Sequence, residues 1–417
     1  MQTNDQSADA PLERNTQKTY PAPEIVSELE FLFALRRDIH AHPELAYEET
    51  RTADLVTARL SEWGLAVHRG LGKTGVVGVV KAGHSDRAIA LRADMDALPI
   101  QEQNRFAHVS KIPGKMHACG HDGHTAMLLA AAQYLASHRH FDGSVYLIFQ
   151  PAEEGGGGAD AMIKDGLFRR FPIQQVFGMH NWPGLAAGQF AVSPGPVMAA
   201  FDTFRIVIKG RGCHAAMPHL GLDPVPVAAQ MILAFQTILT RNVPPLEAGV
   251  LSVTTVHVGD AKNVIADDCE LTGTLRTFSD EVMEVMHDRI RQIARHTCLA
   301  HSMECDVEFT KGYPATINHE QQSSLSRKVM AGIVGEQNVL EQQPTMGAED
   351  FAFMLRELPG SYCFIGNGDG DHRHQHHGTG PCTLHNASYD FNDDVLALGA
   401  TYWVRLVEAV LAKDETR

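Results

Sequence analysis

Apolar positions recur at helical spacing over residues 24–40, where Ile25, Leu29, Phe31, Leu32 and Leu35 share one face and Pro43 ends the run. A second helical pattern over 48–63 closes at Gly64. Two short Val/Ile-rich runs, 76–81 and 88–93, predict strands, and the second leads into Asp94-Met95-Asp96. An Ala/Leu-rich helix is expected over 125–137, a buried strand over 144–150 and another over 175–179. From about residue 197 the pattern changes. Strands are predicted at 204–208, 250–258, 269–277 and 303–309, with helices at 223–239 and 279–298, the second capped by Ser279. That order, β-α-β-β-α-β, matches a ferredoxin-like unit. Beyond about residue 313 the chain reads as α/β again, with helices at 321–334, 351–355 and 394–411 and a strand at 361–365.

This layout predicts an α/β fold with an α+β insertion. A mobile polar tail covers 1–23, a main domain takes 24–196 and 313–417, and 197–312 forms an inserted domain. At 417 residues the chain is long enough for two hydrophobic cores. The net charge of −15 argues against nucleic acid as a partner, because phosphate binding wants a basic face. Since no apolar run reaches the roughly 20 residues a bilayer requires, no membrane is expected. The polar N-terminal stretch does not read as a secretory signal. The chain's seven scattered cysteines fit a reducing cytoplasm better than a disulfide framework.

The densest chemistry lies in Met116-His-Ala-Cys-Gly-His-Asp-Gly-His124. Cys119 and His121 suit a borderline-soft metal, and the intervening glycines allow a tight turn. A buried small Cys119 and surface histidines are the bland alternative. Glu153 and Glu154 follow the 144–150 strand and precede four glycines. Adjacent carboxylates repel unless a cation or proton separates them, so one can hold a metal while the other acts as base. Strands of the first half thus end at Asp94/Asp96, at Glu153/Glu154 and at His180, the position where open α/β sheets bind ligands. Together with His385 the donors are Cys119, His121, Glu154, His180 and His385. Five are too many for one tetrahedral ion and suit two, with Cys119 as candidate bridge. Asp94 and Asp96 are expected to orient ligands, and His124 is either such a support or a polar cap. The histidine-rich stretch 371–378 is read as a solvated loop rather than a third metal site.

The stretches RRDIHAHPELAYEE, LRADMDALP, MHACGHDGHTAMLL, FQPAEEGGGGA, GMHNWPG, GRGCHAAMPH, NVIADD, GTLRTF, MGAEDFAF and LHNASYDFND resemble the amidohydrolase branch of the aminoacylase and carboxypeptidase family of di-metal hydrolases. That branch includes hippurate hydrolase and the plant indole-acetyl-amino-acid hydrolases. The resemblance implies a di-metal exopeptidase-like catalytic domain whose inserted ferredoxin-like domain serves dimerisation and acts as a lid. Cys119, His121, Glu154, His180 and His385 match the family's metal ligands, and Glu153 its general base. His214 matches a histidine that stabilises the oxyanion in a partner subunit. Asn263 and Arg276 match groups that hold a substrate carboxylate. The departures are Ala266 in NVIADD, Ala387 after LHN, and Cys213 beside His214.

The implied activity is hydrolysis of N-acyl amino acids by a cytoplasmic homodimer, or a tetramer built from it. Two divalent ions are expected, zinc or manganese first, with cobalt or nickel compatible. A carboxypeptidase or dipeptidase is the alternative, and a catalytically silent metal-binding protein the third reading.

Overall fold

The computed structural model describes Ile25, residues 29–373 and residues 376–413; the predicted tail at 1–23 lies outside them. Two helices open the fold, α1 (Leu29–Ala41) and α2 (Thr50–Glu62), followed by β1 (Ala66–Leu71), β2 (Gly75–Ala82) and β3 (Ala88–Asp94). Next come α3 (His121–Ser137), β4 (Gly143–Gln150), the short helices α4 (Gly158–Lys164) and α5 (Leu167–Arg170), and β5 (Gln175–Pro183). Short strands β6 (Phe190–Ala191) and β7 (Gly195–Met198) lead to β8 (Ala200–Lys209) and β9 (Cys213–His214). The sequence continues through α6 (Pro224–Arg241), β10 (Gly249–His257), β11 (Val264–Ile265), β12 (Asp268–Thr277), α7 (Asp280–Ala300) and β13 (Glu304–Lys311). It closes with β14 (Thr316–Asn318), α8 (Glu320–Val334), β15 (Val339–Leu340), α9 (Ala352–Glu357), β16 (Gly360–Gly368) and α10 (Leu396–Val410).

The main sheet has eight strands in the order β1-β2-β4-β3-β5-β16-β6-β15. Its centre, β4, β3, β5 and β16, is parallel. Strands β3 and β4 are buried at every position, as expected where helices cover both faces. One face carries a core that includes α3 and α10 residues such as Met127, Leu128 and Trp403. The opposite face carries a separate core with Met162, Phe351, Tyr362 and Phe364.

A second, antiparallel sheet runs β10-β12-β8-β13, the strand order of a ferredoxin-like unit. Residues along β8 and β12 alternate between buried and accessible, so one face packs under α6 and α7 around its own core of Phe204, Ile206, Leu271 and Ile290. Gly273 is needed there, because a Cβ would stand 2.4 Å from the Phe204 ring. Both helices start on side-chain caps, Asp223 accepting from Val225 N and Ser279 from Val282 N.

The structure adds one strand that the pattern did not predict and corrects two expectations. Strand β1 escapes the hydrophobic pattern because it is an edge strand with most positions accessible. Helix α3 begins at His121 rather than Thr125, so His124 lies in its first turn and does not begin it. Strand β5 runs on to Pro183 in register with β16, which puts His180 inside the strand rather than at its end.

Candidate metal centre

The elements converge where the parallel strands end. Asp94 closes β3 in register with Gln150, the last residue of β4, and Glu153 and Glu154 follow after Pro151 and Ala152. Gly120 caps α3 at φ +93, where a Cβ would stand 2.3 Å from Asn181 Oδ1. This glycine lets Cys119 and His121 turn toward one point. His385, itself at φ 62, is tied down by its backbone N–H donating to the Ala118 carbonyl at 2.8 Å.

The five predicted ligands come together. Cys119, His121 and His180 present donor atoms lying within 4.8 Å of one another, and so do Cys119, Glu154 and His385. Cys119 is common to both sets. Its sulfur stands 3.3 Å from His180 Nε2, and Glu154 Oε1 stands 3.1 Å from His385 Nε2. That last pair lacks hydrogen-bond alignment, and both Glu154 Oε1 and His121 Nε2 are buried with no hydrogen-bond partner. Orphaned buried polar atoms of this kind call for a ligand. The charge balance agrees. Burial, then the Glu154 and Glu153 charges, pushes the Cys119 thiol well up. Burial and the Glu349, Glu154 and Asp350 charges do the same to Glu153. For Glu154 burial acts upward, but His385 and His121 hold it below the usual carboxylate value. A shortage of positive charge among sulfur, imidazole and carboxylate donors fits two divalent cations.

The supporting shell is well formed. Asp96 pairs with His121 Nδ1 at 3.2 Å and accepts from the Glu154 backbone N–H at 2.9 Å, so one carboxylate braces two candidate ligands. His124 pairs with Asp94 Oδ1 at 2.5 Å, and its other nitrogen accepts from Asn181 N at 3.0 Å. With both nitrogens engaged, His124 supports the centre rather than joining it. Arg92 reaches Asp94, Glu349 and Asp350 at 2.7, 2.9 and 3.0 Å. Glu153, 7% exposed, completes a group with Glu349 and Asp350. Sequence reasoning gave Glu349 and Asp350 no role, although they are adjacent carboxylates like the pair it singled out. Trp182 lies half-buried beside His180, with ring centroids 6.4 Å apart, and stacks on Phe364 at 4.1 Å.

The other predicted site residues lie elsewhere. His214 on β9 and Asn263 just before β11 are exposed neighbours across a two-stranded ladder, with Ala215 N donating to Asn263 O at 3.0 Å. Among the described residues no hydrogen bond or ion pair links either to the cluster. Arg276 spans from β12 to the main layer, donating to the Met346 carbonyl at 2.7 Å with its guanidinium over the Phe201 ring. Of the histidine-rich loop, His372 and His377 are half-buried and pair with the Asp390 carbonyl and carboxylate at 3.2 and 3.0 Å. These two are anchored rather than solvated; His374 lies outside the described residues.

Behind the centre, His40 on α1 bridges Asp122 at 2.9 Å and Glu102 at 3.2 Å, next to Arg36 and the rings of His108 and His117. Burial alone would lower its pKa. The hydrogen bond and charge of Asp122, then Glu102, outweigh burial and raise it to about 10. The raised value means that His40 stabilises the fold fully below its unfolded pKa of about 6.5, and the contribution is lost as pH rises through about 10. The free energy of unfolding from urea titrations is therefore expected to fall over that window, by an amount on the order of a few kcal/mol. His40→Asn should start lower at pH 6.5 and show a flatter decline.

The chain is similar to several known proteins. The chain is 40% identical over 373 residues to the hippurate hydrolase of Campylobacter jejuni, covering 89% of this chain and 94% of that one. It is 38% identical over 395 residues to thermostable carboxypeptidase 1 of Saccharolobus solfataricus, covering 93% and 96%. The crystal structure of a dinuclear metal-binding M20 peptidase from Bacillus subtilis superposes with a TM-score of 0.79 at 31% identity, covering 93% of this chain and 99% of that one. Residues 90–409 match the description of Peptidase family M20/M25/M40, and the chain belongs to that family.

Proposed function

We propose that this protein is a metal-dependent amidohydrolase that cleaves N-acyl amino acids to a carboxylic acid and a free amino acid. The observation that carries this reading is the two donor triads sharing Cys119, with Glu153 alongside. Cys119, His121, Glu154, His180 and His385 would hold two divalent ions, which when bound polarise a carbonyl and acidify water. The thiolate favours zinc; manganese, cobalt and nickel remain compatible with the imidazoles and carboxylate. Glu153 takes the proton of the attacking water as its oxygen bonds to the amide carbon. It then gives that proton to the amide nitrogen as the C–N bond breaks and the amino acid leaves. Trp182 offers a flat apolar surface to the acyl group beside His180.

His214, Asn263 and Arg276 are assigned to the oxyanion and the substrate carboxylate. The exposure of His214 and Asn263 away from the donor cluster supports their serving a second subunit. We therefore infer a homodimer, or a tetramer built from it, joined through the inserted domain 197–312, which also acts as a lid. The reducing cytoplasm suits the seven free cysteines. Among the described residues no helix is long and apolar enough to cross a membrane.

The test is a panel of N-benzoylglycine, N-acetyl amino acids and unblocked dipeptides. Hydrolysis of the blocked substrates is expected to exceed that of the dipeptides at least tenfold. Chelator treatment should abolish it, and added zinc or manganese should restore it. Faster cleavage of dipeptides would favour the carboxypeptidase reading, which the Saccharolobus relative keeps in view.

A further inference from the structure

The chain leaves the main layer for the second sheet at residues 199–201 and returns at 311–313. The two crossings run side by side. Phe201 N donates to the Tyr313 carbonyl at 3.0 Å, and Gly312 N donates to the Phe201 carbonyl at 3.1 Å. The Tyr313 side chain points out of this paired strap into the main layer and is only 7% exposed. Its hydroxyl donates to the backbone carbonyl of Glu153 at 2.6 Å and accepts from Gly157 N at 3.0 Å. One phenol thus closes both ends of the turn that carries the proposed base. The ring is held edge-on by Phe201 and Phe353, with centroids at 5.1 and 5.9 Å.

That turn requires holding. Ala152, immediately before Glu153, has φ 54, a left-handed conformation that is strained for a non-glycine residue. Further grips come from the main layer. Ala152 N donates to Glu49 Oε1 at 2.9 Å, Glu154 N donates to Asp96 Oδ2 at 2.9 Å, and Tyr47 OH donates to the Gly156 carbonyl at 2.8 Å. None of these touches the Glu153 backbone carbonyl, whose other partner is Gly155 N at 2.7 Å within the turn itself. Tyr313 does, and it does so from the strap that joins the two layers.

We propose that Tyr313 is a positioning residue: by gripping the Glu153 carbonyl it sets the angle of the carboxylate and links the strap beneath the inserted layer to the reacting centre. The inference rests on Glu153 being the base. A displacement of about 1 Å at such a group costs on the order of 10²-fold in rate.

Tyr313→Phe removes only the hydroxyl. Its kcat is expected to fall about 10- to 100-fold on the best N-acyl substrate, with KM within twofold of the parent and metal content unchanged. Added to Glu153→Gln, the same change should alter residual kcat less than twofold, because its effect passes through the carboxylate already removed. Tyr47→Phe, which leaves the Glu153 carbonyl held, should change kcat less than threefold. Phe201→Leu keeps the hydroxyl and loosens its ring support, and is expected to lower kcat three- to tenfold; the readout is kcat alone, because the Arg276 guanidinium also lies over this ring. It tests the link even if the Phe variant does not fold. Unchanged kcat in folded Tyr313→Phe or in Phe201→Leu, or an equal loss in the Glu153→Gln background, overturns the inference. If Glu153→Gln itself keeps near-parental turnover, the base assignment fails instead, so the two failures are distinct.

Discussion

Glu153→Gln is expected to lose about 10²–10⁴-fold in kcat while binding its metals as the parent does. The substitution preserves volume and one acceptor oxygen but cannot take a proton. The five candidate ligands are untouched, and Glu154 keeps both His385 and the Asp96 brace on its backbone. Steady-state turnover of N-benzoylglycine, with metal content measured on the same sample, checks it. A variant within a few-fold of the parent would remove Glu153 from the reaction and leave Glu349 or Asp350, in the same cluster, to be tried next.

Arg92→Leu is expected to produce the largest loss of stability. The guanidinium is 1% exposed and joins Asp94, Glu349, Asp350 and Gln150 from the middle of β3. Leucine roughly fills the space but leaves Asp94 and Glu349 buried without their cation. Breaking one side of a buried ion pair costs about 3–5 kcal/mol, whereas an exposed pair is worth under about 1 kcal/mol. The urea midpoint should fall accordingly. Arg92→Lys should recover only part of it, because an ammonium cannot span a planar fork of partners. A change below 1 kcal/mol would mean that the cluster tolerates the loss, for instance by protonation. Because Asp94 supports His124, the leucine variant should also bind metal more weakly.

Much of the centre was legible in the sequence because its chemistry is concentrated. Cys119 and His121 stand two residues apart on a glycine turn, and Glu153-Glu154 follows a strand whose apolar run is unmistakable. The order of strands and helices between β8 and β13 was legible too, since one face of that sheet is buried and the alternation survives. What escaped has a physical reason. The Tyr313 contacts go to a backbone carbonyl and a backbone N–H about 160 residues earlier, and main-chain partners leave no trace in side-chain patterning. Glu349 and Asp350 are adjacent acids like the pair at 153–154, but no strong strand precedes them to draw attention. The exposure of His214 and Asn263 could not be read either, because two-residue strands carry no periodicity.

The paired crossings at 199–201 and 311–313 also bear on how such a chain assembles. The segment between them departs and returns through neighbouring, mutually hydrogen-bonded backbone, so the eight-stranded sheet meets it as though it were a hairpin turn. Closing a long excursion adds only a logarithmic entropic cost with length, and here the strap performs the closure locally. The second sheet, with its own apolar interior, can therefore vary in size or shape without disturbing the register of the first.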